Sequence, residues 1–402
     1  MSECKRYDEA SQRAYTARLR AWTGGAETPP LAFVDTYGCQ QNEADSETLR
    51  GMLAEMGYAF TDDEYAADLI LINTCAVREH AEMRVLGNVG ALVHTKKAKP
   101  GQLIALCGCM MQEPEAVEKV KQSYRHVGLV FGPHALPRFP QLLYEALEKT
   151  GRVFDVDEGD NRIVEGLPVR RGEPPRAWVS VMYGCDNFCS YCIVPYVRGR
   201  ERSRTPENIL RETAALVADG YTELTLLGQN VNSYGKGLPG SPDFAGLLDA
   251  VCALPGDFTV GFMTSHPKDA TPRLFDTMAK NPKVRRHLHL PFQSGSDRVL
   301  AAMNRGYTRA AYLGLIDRAR AAMPGLNLTS DVIVGYPNET EEDFEATLAL
   351  IRRIRFDNLF TFIYSKRPGT PAAALSDSVS DATKRERMAR LLAAQKEIRA
   401  GR

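Results

Sequence analysis

The 402-residue chain carries 50 Lys+Arg against 50 Asp+Glu and so has no net charge. That balance excludes a protein that coats nucleic acid by bulk charge, and any such partner must be held by a local patch. With 44% hydrophobic and 25% charged residues, the composition is that of a globular chain of about two or three domains. No apolar run approaches the ~20 residues needed to span a membrane, and the polar start Ser2-Glu3-Cys4-Lys5-Arg6 carries no export signal. A cytoplasmic location is expected. Nine cysteines in a chain without an export signal point away from a disulfide framework and toward metal binding or catalysis.

Residues 1–30 read as an N-terminal extension, with a short helix over 9–22, a turn-rich stretch from Gly24 to Pro30, and partial disorder. From Leu31 short apolar runs alternate with helical periodicity. Strands are predicted over 31–34, 69–72, 103–106, 127–131 and 152–154, and helices over 45–55, 77–94 and 137–149. This alternation predicts an open parallel α/β sheet covered on both faces over residues 31–156. The first three strands each run into a cysteine: Cys39, Cys75, and the pair Cys107 and Cys109. Ligands in such sheets gather outside the carboxyl ends of the strands, so Cys39, Cys75 and Cys109 are candidates to face one crevice. Cys107, at the last strand position before Gly108, reads as a small buried residue, as do Cys4 and Cys252.

A polar, Gly- and Pro-rich linker follows over 157–176. The remainder, 177–402, repeats a strand–helix unit about six times. Its strands are expected over 177–182, 223–227, 258–263, 286–290, 326–334 and 359–364, which predicts a barrel or partial barrel with its site at the carboxyl ends of the strands. The first of these strands leads into Cys185-x3-Cys189-x2-Cys192. Three thiolates at that spacing can converge on one soft metal centre. Structural zinc takes four protein ligands and the bacterial ferredoxin run needs a fourth cysteine, but Ile193 follows Cys192. Three ligands on a four-iron cluster leave one iron open. The later strand ends are rich in amides, hydroxyls and glycine. His266 and His289 read as structural hydrogen-bonders, and no catalytic residue is assigned beyond the cysteines.

C-x3-C-x2-C after the first of six strand–helix units resembles the radical S-adenosylmethionine (SAM) superfamily. Thr36-Tyr37-Gly38-Cys39-Gln40-Gln41-Asn42, Asn73-Thr74-Cys75-Ala76-Val77-Arg78-Glu79 and Gly108-Cys109-Met110-Met111-Gln112 narrow the likeness to the methylthiotransferase family, in its tRNA-modifying branch. The resemblance implies a partial (β/α)6 barrel in which Cys185, Cys189 and Cys192 hold a [4Fe–4S] cluster whose open iron binds SAM. It also implies an auxiliary [4Fe–4S] cluster on Cys39, Cys75 and Cys109 that carries the sulfur. In that family an electron entering the first cluster cleaves SAM, and the radical so formed removes hydrogen from C2 of isopentenyladenosine at position 37 of tRNA, where a methylthio group is installed. Implied partners are a tRNA anticodon stem-loop carrying isopentenyladenosine and an electron donor such as flavodoxin or ferredoxin, with the protein a monomer. Tyr191, Gln229, Ser265 and Asp331, at strand ends, are candidate SAM contacts. Arg198, Arg200, Arg202 and Arg204 form a candidate basic patch for RNA phosphates. The family's C-terminal β-barrel module, TRAM, is expected to be absent. The alternatives are the ribosomal-protein branch (RimO-type), with the same chemistry on an aspartate, and a non-catalytic iron–sulfur protein.

Overall fold

The computed structural model describes residues 7–76, 79–149, 151–157 and 162–401. They form two compact units: Met1–Glu173 with Tyr196–Arg200, and Pro174–Pro195 with Glu201–Arg402. Cys4, the first two residues of the helix expected over 77–94, and residues 158–161 of the expected linker lie outside the described residues.

The first unit is built on six parallel strands: β1 (Leu31–Tyr37), β2 (Ala59–Phe60), β3 (Leu69–Thr74), β4 (Leu103–Gly108), β5 (Leu129–Phe131) and β6 (Val153–Asp155), in the order β2-β1-β3-β4-β5-β6. The period-two geometry of a strand explains the continuous apolar runs. Leu69, Leu71, Leu103, Ala105, Cys107, Leu129 and Phe131 pack into one core, while Ile70, Ile72, Ile104, Leu106 and Val130 pack into another on the opposite face. Cys107 is thus a core residue, and burial pushes its thiol well above the ordinary value. Strand order reverses between β1 and β3, and such a reversal opens a crevice at the carboxyl ends.

Three expectations for this unit need correction. The helix Glu9–Gly24 belongs to the core and is no loose extension: Leu19 is buried, and Gln12 exchanges hydrogen bonds with Gln141 of the helix Phe139–Glu148. The helix expected over 45–55 begins earlier, as Gln40–Glu55, with Cys39 as its N-cap. Two polar turns of that helix carry no apolar period, which hid its start. The later part of the linker lies along this unit. Leu167 joins the core, the Arg170 N–H donates to the Glu47 carbonyl at 2.9 Å, and its guanidinium stacks over Phe60.

The second unit begins with β7 (Arg176–Ser180), then β8 (Met182–Tyr183) and β9 (Arg202–Ser203), which pair antiparallel. β10 (Glu223–Leu227), β11 (Thr259–Phe262), β12 (His287–His289), β13 (Asn327–Val334) and β14 (Asn358–Ile363) follow. The parallel sets β7-β10-β11 and β12-β13-β14 are joined by a bridge between Val260 and Val284. The result is the partial six-stranded barrel expected, with helices outside and a single large core between helices and strands. Cys252 packs in that core. No helix among the described residues is long and apolar enough to cross a membrane.

Candidate functional site

In the first unit, Cys39, Cys75 and Cys109 follow the carboxyl ends of the adjacent strands β1, β3 and β4, beside the strand-order reversal. Cys39 caps the helix Gln40–Glu55. A helix N-terminus offers free N–H groups and positive potential, which favours a thiolate. A hydrogen bond from Cys75, the positive charge of Arg198 and the N–H groups of Asn42 and Gln41 bring the Cys39 thiol down to about 6 against the cost of burial. Cys39 is exposed, whereas Cys75 and Cys109 are buried.

A buried amide latch sets the spacing of the first two cysteines. The Asn42 amide donates to Asn73 Oδ1 and to the Thr74 carbonyl, each at 3.1 Å. Asn73 returns bonds to the Asn42 carbonyl and to Ser46 Oγ, each at 2.9 Å. The start of the Cys39 helix is thereby tied to the residues just before Cys75. Gly108 places the third cysteine: its φ is +95°, and a Cβ there would collide with Asn73 Oδ1 and the Thr74 carbonyl. Only glycine serves both the left-handed backbone and the close approach.

Arg198 is buried and belongs to this unit. Its Nε donates to Cys109 Sγ at 2.9 Å, and its guanidinium pairs with Asp45 at 2.7 Å. Burial opposes its charge, but Asp45, Cys109 and Cys39 outweigh that and keep it protonated. Burial holds the Cys109 thiol up at about 11 even so.

The second set, Cys185, Cys189 and Cys192, lies in the loop after β8, pinned by distant elements of the second unit. The Ser190 N–H donates to the Met303 carbonyl at 3.0 Å, its hydroxyl donates to the Ala302 carbonyl at 2.8 Å, and the Asn304 amide donates to the carbonyls of Asn187 and Phe188. Burial pushes Cys185 and Cys192 each up to about 12. Cys189 faces two further donors: Arg305 at 3.4 Å, and His266 with Nε2 at 3.9 Å. Burial, reinforced by Arg305, presses His266 down to about 2, so the ring is neutral.

Among the described residues no three Cys, His, Asp or Glu side chains converge tightly enough to share a single metal ion. A four-iron cluster asks for something else, because each thiolate binds a different iron and the sulfurs stand apart. The donor sets suit it. All six groups are soft sulfur ligands, three per set. Thiols raised by burial become thiolates once a metal coordinates them, and buried N–H donors to the sulfurs are what such centres use around their ligands.

Of the candidate SAM contacts, Ser265 Oγ is buried without a partner among the described residues. The Gln229 carbonyl accepts from the Gly184 N–H at 2.5 Å, which ties it to the cysteine loop. The Tyr191 hydroxyl accepts from Arg305 at 3.3 Å, and Asp331 lies 3.4 Å from His289. Asn230, Asn232 and Gln293 lie in the amide-rich strand ends but are not among the four candidates; their side-chain carbonyls are also buried and without a partner among the described residues, beyond the ends of β10 and β12. Sequence reading missed Arg305. An amide or arginine in a loop carries no spacing signal, so only its aim in the fold exposes it. Phe188, Thr264, Gln293 and Asn304 all have φ between +44° and +70° at this end of the barrel, where strained backbone marks a built site.

The expected basic patch is split. Arg198 is buried on Cys109, and Arg204 is buried with its guanidinium on the Ser180 carbonyl and Glu212. Both guanidinium groups are buried against partners inside the protein and are not presented at the surface as a phosphate-binding patch requires. Arg200 is exposed and Arg202 half-buried.

The Radical SAM superfamily model matches residues 179–351, and the model described as Uncharacterized protein family UPF0004 matches residues 32–132. The tRNA-2-methylthio-N(6)-dimethylallyladenosine synthase of Acetivibrio thermocellus is 52% identical, over 92% of this chain and 77% of its own length. Proteins of the same name from Carboxydothermus hydrogenoformans and Desulforamulus reducens are 50% and 48% identical, over 91% and 93% of this chain and 83% and 82% of their own lengths. Among solved structures, the radical SAM methyltransferase TsrM from Kitasatospora setae, 15% identical, superposes with a TM-score of 0.62 over 86% of this chain and 77% of its own. At that identity the likeness is one of fold.

Proposed function

The chain belongs to the tRNA-2-methylthio-N(6)-dimethylallyladenosine synthase family within the radical SAM superfamily, and from that membership we propose how its two cysteine sets divide the work. The protein is a radical SAM methylthiotransferase that acts on C2 of isopentenyladenosine in tRNA, with a [4Fe–4S] cluster and SAM as cofactors. When bound, the cluster and SAM supply a carbon radical able to remove hydrogen from an unactivated aromatic carbon.

Cys185, Cys189 and Cys192 hold that cluster, in the second unit. Cys39, Cys75 and Cys109, in the first unit, hold a second four-iron cluster carrying the sulfur to be inserted. The observation that supports the second assignment is the convergence of three cysteines on three adjacent strand ends at the reversal point of the sheet. Cys75 and Cys109 are buried and Cys39 is exposed, so Cys39 would be the ligand of this set nearest solvent.

This chain's own residues orient and shield. Ser265, Asn230, Asn232 and Gln293 offer buried oxygens without partners, suited to the amine and hydroxyl donors of SAM, and Gln229 steadies the loop they face. Tyr191 and Asp331 complete the wall. Arg200, exposed, and Arg202, half-buried, lie nearer the surface than Arg198 and Arg204 and are the candidates for RNA phosphates, while the target base, in a single-stranded loop, is splayed out at small cost. An external one-electron donor such as flavodoxin or ferredoxin serves a monomeric enzyme.

The test is anaerobic reconstitution followed by reaction with an isopentenyladenosine anticodon stem-loop. About eight irons per chain, two four-iron clusters, and the 2-methylthio nucleoside by mass spectrometry are expected. About four irons in the full chain would refute the second cluster.

A further inference from the structure

Arg305 is 4% exposed, and no ion pair among the described residues includes it. Its guanidinium donates to the Pro291 carbonyl at 2.8 Å, to the hydroxyls of Tyr191 and Tyr307 at 3.3 Å and to Cys189 Sγ at 3.4 Å. All four are neutral when Cys189 is a thiol. A buried cation without an anion is costly, and proteins rarely keep one unless something pairs with it. A cluster-bound sulfur at Cys189 would supply the missing negative charge. Arg198 makes the contrast: it too donates to a cysteine, Cys109, but Asp45 neutralises it at 2.7 Å. The two cysteine sets therefore differ in charge environment, the first facing a neutral Arg–Asp pair and the second an uncompensated positive charge.

His266 adds to this from another direction. Its Nδ1 accepts the Lys268 N–H at 3.1 Å, which leaves the proton on Nε2, the nitrogen 3.9 Å from Cys189 Sγ. Both donors thus bear on the same sulfur.

We propose that Arg305 is a positioning residue that raises the reduction potential of the cluster held by Cys185, Cys189 and Cys192. Reduction adds one electron, making the cluster more negative, and a fixed positive charge against a ligand sulfur inside a low-dielectric site stabilises that state over the oxidised one. The proposal rests on the assignment of a cluster to these three cysteines.

The experiment uses the full chain with Cys39, Cys75 and Cys109 changed to Ala, so that only one cluster reports. Iron content is measured first: about four irons per chain upholds the cluster assignment, and none would sink that assignment independently of Arg305. The midpoint potential is then followed by electron paramagnetic resonance during dithionite titration, for the parent, Arg305→Gln and Arg305→Lys. In the Gln variant the equilibrium for reduction should fall at least tenfold, a shift of about 59 mV to more negative potential. The Lys variant, which keeps the charge and loses the fork, should stay near the parent. An unchanged midpoint in an iron-loaded Gln variant overturns the proposal. If the Gln variant does not hold iron, the Lys variant decides: a parent-like midpoint supports a charge effect, and a tenfold fall overturns it.

Discussion

Changing Arg198 to Met tests the architecture of the first unit at a buried ion pair beside a cysteine. The side chains of Arg198 and Asp45 are 6% and 10% exposed and 2.7 Å apart, and the same guanidinium donates to Cys109 at 2.9 Å. Methionine keeps most of the aliphatic stem but leaves Asp45 buried without its cation. Removing one partner of a buried pair costs about 3–5 kcal/mol, most of it the stranded charge. Changing Asp45 to Asn as well removes that charge, so the double variant should recover the larger part of the loss. The assay is urea unfolding of the metal-free chain. Trp22 lies in the first unit and Trp178 in β7 of the second, so a Trp178→Phe background makes fluorescence report the first unit. At a slope of ~2.5 kcal/mol per molar urea, the single variant's midpoint should fall by about 1–2 M. A loss below ~1 kcal/mol, or a double variant no more stable than Arg198→Met, would refute the reasoning.

The remaining outcomes follow from the two cysteine sets and one helix cap. Cys189→Ala should abolish reductive cleavage of SAM, whereas Cys75→Ala should spare cleavage and lose methylthiolation; chromatography of 5′-deoxyadenosine and of the nucleosides separates the two, and intact methylthiolation in Cys75→Ala would undo the second-cluster assignment. Gly108→Ala should cost roughly 1–3 kcal/mol through a non-glycine residue at positive φ and should lower iron retention at Cys109, read as iron per chain in a Cys185→Ala, Cys189→Ala, Cys192→Ala background. Asp343 closes the capping box of the helix Glu341–Ile354 and accepts from Arg298 and Ser296. Burial works against its charge, but these donors and Thr340 win and hold the carboxyl well below the usual range. Its stabilisation is therefore present above the unfolded value near ~3.9 and is lost as pH falls toward the depressed folded value. Asp343→Asn should cost about 1–2 kcal/mol at neutral pH, with the gap to the parent narrowing below pH ~4 in urea titrations. A gap that stays constant down to pH ~2 would contradict this.

Sequence alone determined the parts of this protein that depend on local pattern. Strands buried on both faces need unbroken apolar runs, and this is why β3 and β4 were visible as Leu69-Ile70-Leu71-Ile72 and Leu103-Ile104-Ala105-Leu106. Thiolate ligands are chemically so particular that Cys185, Cys189 and Cys192 could be singled out by spacing, and Cys39, Cys75 and Cys109 by recurrence at strand ends. Tertiary structure decided what carries no pattern. Arg198 and Arg204 sit in one run of arginines that reads as a surface patch, yet each is buried on its own partners, because a guanidinium goes where acceptors and carboxylates from distant segments meet it. Asp45, Asn42 and Asn73 look like helix and strand-end polar residues until the fold brings them to the cysteines. Arg305 is 116 residues from Cys189 in the chain, and only the closing of the barrel puts its charge against that sulfur. Periodicity records which way a side chain faces its own element; it holds no information about which far-off group it will meet there.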